Sequence, residues 1–261
     1  MTQIAVGPAT IDFTDQGTGH PVLLLHGGGG PATVAAWADR LAADRPARVI
    51  APVHPGFAGT VRPDAVATVR DLAALYTELL DALDLHDVTV VGNSIGGWIA
   101  AEMAVIGSRR VSGYVLVDAV GLQVAEHPVV DFFSLSPAEI ADRSYADPAT
   151  YGIDPTTLPP EALAAMAGNR RMLGVYAGES MSDAALGDRL RSVCTPTLVV
   201  WGEADRISDV GLGRAFADAI PAARFELITG AGHLPQIEAP AALTNVVWAF
   251  VEESAHSPRR G

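Results

Sequence analysis

Three residues carry the chemistry this sequence suggests first: Ser94, Asp205 and His233. Ser94 stands in Val-Thr-Val-Val-Gly-Asn-Ser-Ile-Gly-Gly, residues 88–97, where an apolar strand runs into a Gly-x-Ser-x-Gly turn and then a helical segment. A serine on so tight a turn has strained dihedrals and projects its hydroxyl above the sheet. The flanking glycines remove Cβ atoms that would collide there. The new helix adds a dipole that favours negative charge at its start. Asp205 follows the apolar run Thr-Leu-Val-Val-Trp-Gly, and His233 lies in Gly-Ala-Gly-His-Leu after the next apolar run. A histidine can take the serine proton, and a buried aspartate can fix its tautomer and stabilise the imidazolium. Asp118 also ends an apolar run and is the main rival for the acid role; Glu203 and Asp209 are weaker rivals.

A second glycine-rich stretch, Val-Leu-Leu-Leu-His-Gly-Gly-Gly-Gly-Pro at 22–31, ends another apolar run. Acyl transfer creates an oxyanion that needs preorganised donors about 3 Å away, and glycine lets backbone N–H groups approach. The expected donors are the N–H of Gly28 or Gly29 and that of Ile95, with His26 bracing the loop from beneath. The glycines do not read as a dinucleotide cradle. Pro31 follows them, and no acidic residue stands about 20 positions on.

Composition narrows the field. The chain has 261 residues and a net charge of −13, from 30 acids and 17 bases. Nucleic acid and anionic membranes both demand clustered cations, so neither is an expected partner. All 17 bases are arginine. Schiff-base chemistry, a Walker A lysine and a Ser–Lys dyad are therefore excluded. The pattern holds no His-Glu-x-x-His and no Cys/His pair, so neither a metal nor a cofactor is expected. The lone cysteine, Cys194, reads as a small buried hydrophobe. The first residues lack a basic segment followed by an apolar one, and a cytoplasmic location is the expectation. The expected partner is a small-molecule substrate, with a homodimer left open.

These residues need a scaffold that brings strand ends together. Apolar runs at 22–25, 48–53, 88–91, 114–118, 196–201 and 224–228 alternate with helical patterns at 68–85, 95–106, 210–219 and 240–253, after an opening hairpin at 3–15. Such alternation implies a parallel sheet with crossover helices, which places ligands beyond the carboxyl ends of its strands. Residues 121–187 break the rhythm. They hold no convincing strand and only short helical pieces, 137–143 and 160–171, and read as a helical cap. The core is then 1–120 with 188–255, and 256–261 reads as a disordered tail.

Together, His26-Gly27-Gly28-Gly29, Gly92-Asn93-Ser94-Ile95-Gly96-Gly97, Trp201-Gly202-x-x-Asp205 and Gly232-His233 resemble the α/β-hydrolase superfamily over essentially the whole core. The chain order Ser, Asp, His is that superfamily's order. The resemblance implies a mostly parallel, eight-stranded sheet flanked by helices with a helical cap inserted. Among its members the sequence is most similar to capped esterases and to meta-cleavage-product hydrolases, which split carbon–carbon bonds of vinylogous diketo acids. It departs from the latter at Leu234, where they commonly carry tryptophan. Serine at 94 argues against haloalkane dehalogenases and related epoxide hydrolases, which use aspartate there; cofactor-free haloperoxidases share the triad. The expected activity is ester hydrolysis through an acyl-enzyme. Carbon–carbon hydrolysis comes second, and a non-catalytic ligand sensor third. Candidate substrate contacts are Trp37, His54, Phe132, Phe133, Arg170 and Leu234; Arg170 and Arg171 read first as a solvated helix face and second as a bidentate receptor for a substrate carboxylate.

Overall fold

The computed structural model describes residues 1–221 and 223–255; the expected tail, 256–261, lies outside them. In chain order the elements begin with strands β1 (Thr2–Val6), β2 (Ala9–Gly17) and β3 (His20–Leu25), helix α1 (Ala32–Asp44) and strand β4 (Ala47–Pro52). Helix α2 (Val69–Ala82), strand β5 (Val88–Asn93), helix α3 (Ile95–Ile106) and strand β6 (Val111–Val117) follow. An excursion comes next: β7 (Gly121–Leu122), α4 (Pro137–Ser144), α5 (Pro148–Tyr151), α6 (Pro160–Ala177), β8 (Ser182–Asp183) and α7 (Leu186–Leu190). The chain ends with β9 (Thr197–Gly202), α8 (Val210–Ala219), β10 (Ala223–Ile228), α9 (Pro235–Glu238) and α10 (Pro240–Ala255).

One eight-stranded sheet has the order β1-β2-β4-β3-β5-β6-β9-β10, and only β2 runs against its neighbours. The central strands are apolar on both faces, as strands covered by helices on both sides must be. Leu23, Leu25, Val88, Val90, Tyr114, Leu116, Val199 and Trp201 pack against α2, α3 and α8. The alternating set, Val22, Leu24, Val91, Val115, Val117, Leu198 and Val200, packs against α1 and α10. Local signals begin the helices. Thr68 and Asp71 close a capping box on α2, Ser136 and Glu139 close one on α4, and Asp209 caps α8. No described helix is long and apolar enough to cross a membrane.

Several expectations shift. The helix α1 was not legible as a separate element. The stretch 121–187 is helical but not strandless, since Gly121–Leu122 pairs in parallel with Ser182–Asp183. Helix α6 runs on to Ala177. Cys194 is exposed, not buried; Val193, at 2% exposure, takes the interior place beside it.

Candidate active site

The sheet register sets the site. Leu25 pairs with Gly92, Gly92 with Leu116, Val117 with Val200, and Gly202 with Ile228. The residues that follow these strands, His26–Gly30, Ser94, Asp118, Asp205 and His233, therefore leave the sheet along one edge.

Ser94 occupies the elbow with φ 57° and ψ −119°, in the region that a non-glycine residue adopts only under constraint. The constraints are visible. Ser94 N–H donates to Val117 O at 3.0 Å, and Ser94 O accepts from Trp98 N and Val120 N. A Cβ at Gly92 would lie 2.1 Å from Gly96 O, and one at Gly96 would lie 2.3 Å from Leu25 O. Each glycine is thus required by a backbone close behind it.

His233 Nδ1 lies 2.8 Å from Asp205 Oδ2, and both side chains are buried. Asp205 Oδ1 accepts from the N–H groups of Ile207 and Ser208, and Oδ2 also accepts from Ser208 Oγ at 3.0 Å. These donors fix the carboxylate, and its oxygens accept, so His233 Nδ1–H donates a hydrogen bond to Asp205 Oδ2. The histidine loop is itself tied down. His233 N–H donates to Ser144 O, Gly232 N–H to Glu238, and Asn93 Nδ2 to His233 O at 2.9 Å. That last bond connects the residue preceding Ser94 to His233 itself.

Asp118 lies beside Asp205, which takes the hydrogen bond from His233 Nδ1. Its Oδ1 accepts from Gly202 N at 2.8 Å, and Oδ2 is buried without a partner. Burial, reinforced by the adjacent Asp205 charge, pushes its carboxyl well above the usual carboxylate range. Asp118, Asp205 and His233 place potential ligand atoms within 4.8 Å of one another. An Asp118 whose charged form is disfavoured by burial and a His233 that donates through Nδ1 make a poor cation ligand set.

Beneath the glycine loop, hydrogen bonds fix two histidine tautomers. His26 Nε2 accepts from His54 N, so its Nδ1 donates to Gly27 O at 2.7 Å. His54 Nε2 donates to His26 O, and its Nδ1 accepts from Tyr76 OH at 2.6 Å. The rings lie 3.7 Å apart. Burial lowers His26 to about 4 and His54 well below its usual value, so both are neutral braces. His26 matches its expected role. His54, expected to touch substrate, is fully enclosed behind the loop.

Other expected contacts also move. Trp37 is buried against α10 and donates from Nε1 to Thr244. Arg170 points its guanidinium at the carbonyls of Phe132, Phe133 and Leu135 and lies over both phenylalanine rings. It is neither a free carboxylate receptor nor a solvated face; it staples α6 to the segment before α4. Phe132 and Phe133 are half-buried in that staple. Leu234 is half-buried directly after His233. Of the oxyanion candidates, Gly28 sits under Leu173, Gly29 is exposed and Ile95 is buried. Gly27 closes on Ser94, since a Cβ there would lie 3.2 Å from Ser94 Cβ. Asn93, Ser208, Glu238 and Asn169 were not anticipated. Only Asn93 sat inside a recognisable motif.

Sheet order and elbow define a hydrolase of the α/β fold, and the chain belongs to the α/β hydrolase family, whose pattern it matches over residues 22–246. It is 30% identical to a 2-hydroxymuconate semialdehyde hydrolase of Pseudomonas sp. (strain CF600), over 96% of this chain and 93% of that one. It is 28% identical to a 2-hydroxy-6-oxo-6-(2'-aminophenyl)hexa-2,4-dienoic acid hydrolase of Metapseudomonas resinovorans, over 98% and 92%. Among solved structures it resembles a thermophilic esterase from Thermogutta terrifontis, with a TM-score of 0.78 and 25% identity over 97% of this chain and 99% of that one.

Proposed function

We propose that the protein is a serine hydrolase in which Ser94 attacks a substrate carbonyl. His233 takes the Oγ proton through Nε2, and Asp205 holds the imidazolium. The tetrahedral oxyanion rests on the N–H of Ile95 and that of Gly28 or Gly29. Collapse of the intermediate expels the leaving group, which receives the proton from His233. Water then attacks the acyl-Ser94 ester with His233 again as base. The observation that carries this reading is the 2.8 Å contact of His233 Nδ1 with Asp205, in a loop that Asn93 bonds to the nucleophile turn.

For substrate, a small neutral ester is the first reading. Arg170, the cation placed to receive a carboxylate, instead donates to three cap carbonyls, and the esterase likeness supports the same class. Carbon–carbon hydrolysis of a 2-hydroxy-6-oxo-dienoate is the second reading, favoured by the two full-length relatives. There His233 and Ser94 would assist ketonisation before the acyl group is taken. A stopped-flow assay with p-nitrophenyl acetate is expected to show a burst of one nitrophenolate per chain, and Ser94→Ala should abolish it. Turnover that survives Ser94→Ala would overturn the proposal. Loss of a dienoate chromophore faster than ester turnover would reverse the order of the two substrate readings.

A further inference from the structure

Helix α6 is docked along only half its length. Residues 163–167 are exposed, whereas Asn169, Leu173, Tyr176 and Ala177 are buried. The docked stripe carries Asn169, Met172, Leu173 and Tyr176, spaced i, i+3, i+4 and i+7, as one helix face requires. Tyr176 OH donates to Pro55 O at 2.8 Å. Met172 closes over Gly56, and Leu173 over Gly28.

Asn169 does more than pack. Its Nδ2 donates to Gly29 O at 2.9 Å, and its Oδ1 accepts from Ala58 N at 2.9 Å. One amide thus joins the glycine loop to the 54–60 loop, and only this amide orientation satisfies both contacts. Both attachment points are conformationally demanding: Gly30, next to Gly29, has φ 92°, and Ala58 has φ 49°. A non-glycine residue in the left-handed region persists when its surroundings over-determine it.

The glycine loop has little of its own to hold it, because four consecutive glycines lose more backbone freedom on ordering than any other residues would. Its tethers are therefore telling. Gly27 O accepts from Gly30 N at 3.0 Å and from His26 Nδ1 at 2.7 Å, and Gly30 O accepts from Thr33 Oγ1 at 2.7 Å. Those bonds come from the core. The bond to Gly29 O comes from the cap. The Gly29–Gly30 peptide is pinned at both ends, its N–H on Gly27 and its C=O on Asn169. This limits the rotation of the Gly28 and Gly29 N–H groups that precede it.

We infer that Asn169 is a positioning residue whose side-chain amide, reaching from the cap, sets the oxyanion loop. The inference rests on the Ser94 reading above. A misplacement on the order of 1 Å in such a donor can lower rate about a hundredfold.

The test uses p-nitrophenyl acetate and the full chain. Asn169→Ala should lower kcat about tenfold to a hundredfold with KM changed by less than about threefold, the pattern of an interaction made in the transition state. Asn169→Asp keeps the acceptor for Ala58 but turns an acceptor toward Gly29 O. Protonation of the new carboxyl restores a donor, so the ratio of variant to wild-type kcat should rise as pH falls from 8 toward 5. A merely structural role would not give that profile. Tyr176→Phe removes a comparable cap-to-core bond at Pro55 and should lower the melting temperature while leaving kcat unchanged. If Asn169→Ala does not fold, the pH ratio of Asn169→Asp decides. A kcat for Asn169→Ala equal to that of Tyr176→Phe, or a pH-independent ratio for Asn169→Asp, would overturn the inference. Ser94→Ala separates the two claims. If it stays active, the Ser94 reading fails; if it is dead while Asn169→Ala keeps wild-type kcat, only the Asn169 inference fails.

Discussion

Two buried aspartates stand side by side at the ends of neighbouring strands, and their surroundings give them opposite work. Asp205 receives two backbone N–H groups, a serine hydroxyl and His233. Asp118 receives one backbone N–H and faces a charge of its own sign. Asp205→Asn is expected to lower kcat roughly a thousandfold to ten-thousandfold, because the amide favours the wrong histidine tautomer. Asp118→Asn puts an uncharged isostere where burial disfavours the carboxylate's charge and should change kcat by less than about tenfold; steady-state assays of both variants decide. The same substitution has a pH signature in stability. The folded-state pKa of Asp118 is raised, so the folded chain binds a proton that the unfolded chain releases. The stability tied to that proton is complete below the ordinary carboxylate pKa and is lost as pH rises toward the folded value. Relative to wild type, Asp118→Asn should therefore gain stability between pH 4 and 8. Urea denaturation across that range would show it, and a difference that shrinks with rising pH would reject a raised Asp118 pKa.

At the scale of elements, what was legible in the sequence was whatever a strand end enforces locally. Gly92 and Gly96 stand where another backbone allows no Cβ, and the strand, turn and helix around Ser94 follow directly. The same logic predicts the effect of Gly202→Ala. A Cβ there would lie 2.0 Å from Gly232 O, so the end of β9 and the histidine loop must separate, carrying Asp205 away from His233. Activity should fall more than a hundredfold, with a lower melting temperature, measured by p-nitrophenyl acetate turnover and thermal denaturation. What was not legible depended on contacts distant in sequence. His54 looked like a turn residue near the mouth; its partners Tyr76 and His26 lie 22 and 28 residues away. Arg170 reads from sequence as a solvated helix face or, second, a carboxylate receptor, because no periodicity reveals that three carbonyls over 30 residues upstream are waiting for it. Asn169 had no motif at all, since its role exists only once α6 lies across two loops.

For the whole molecule, the net charge of −13 bears on the two substrate readings. A dienoate carries a carboxylate and meets a repulsive field as it approaches, whereas a neutral ester does not. Salt shortens the reach of that field, from about 30 Å at 0.01 M to about 10 Å at 0.1 M ionic strength. If the surface charge governs encounter, kcat/KM for a 2-hydroxy-6-oxo-dienoate should rise several-fold between these ionic strengths, and that for p-nitrophenyl acetate should stay flat. The opposite slope would be the more telling result. A kcat/KM for the dienoate that falls with salt would mean that local cations, with the exposed Arg171 on α6 the first to substitute, outweigh the net charge of −13. A local field that strong, held against the charge of the whole chain, would mark an entrance suited to anions and move the carbon–carbon reading ahead of the ester.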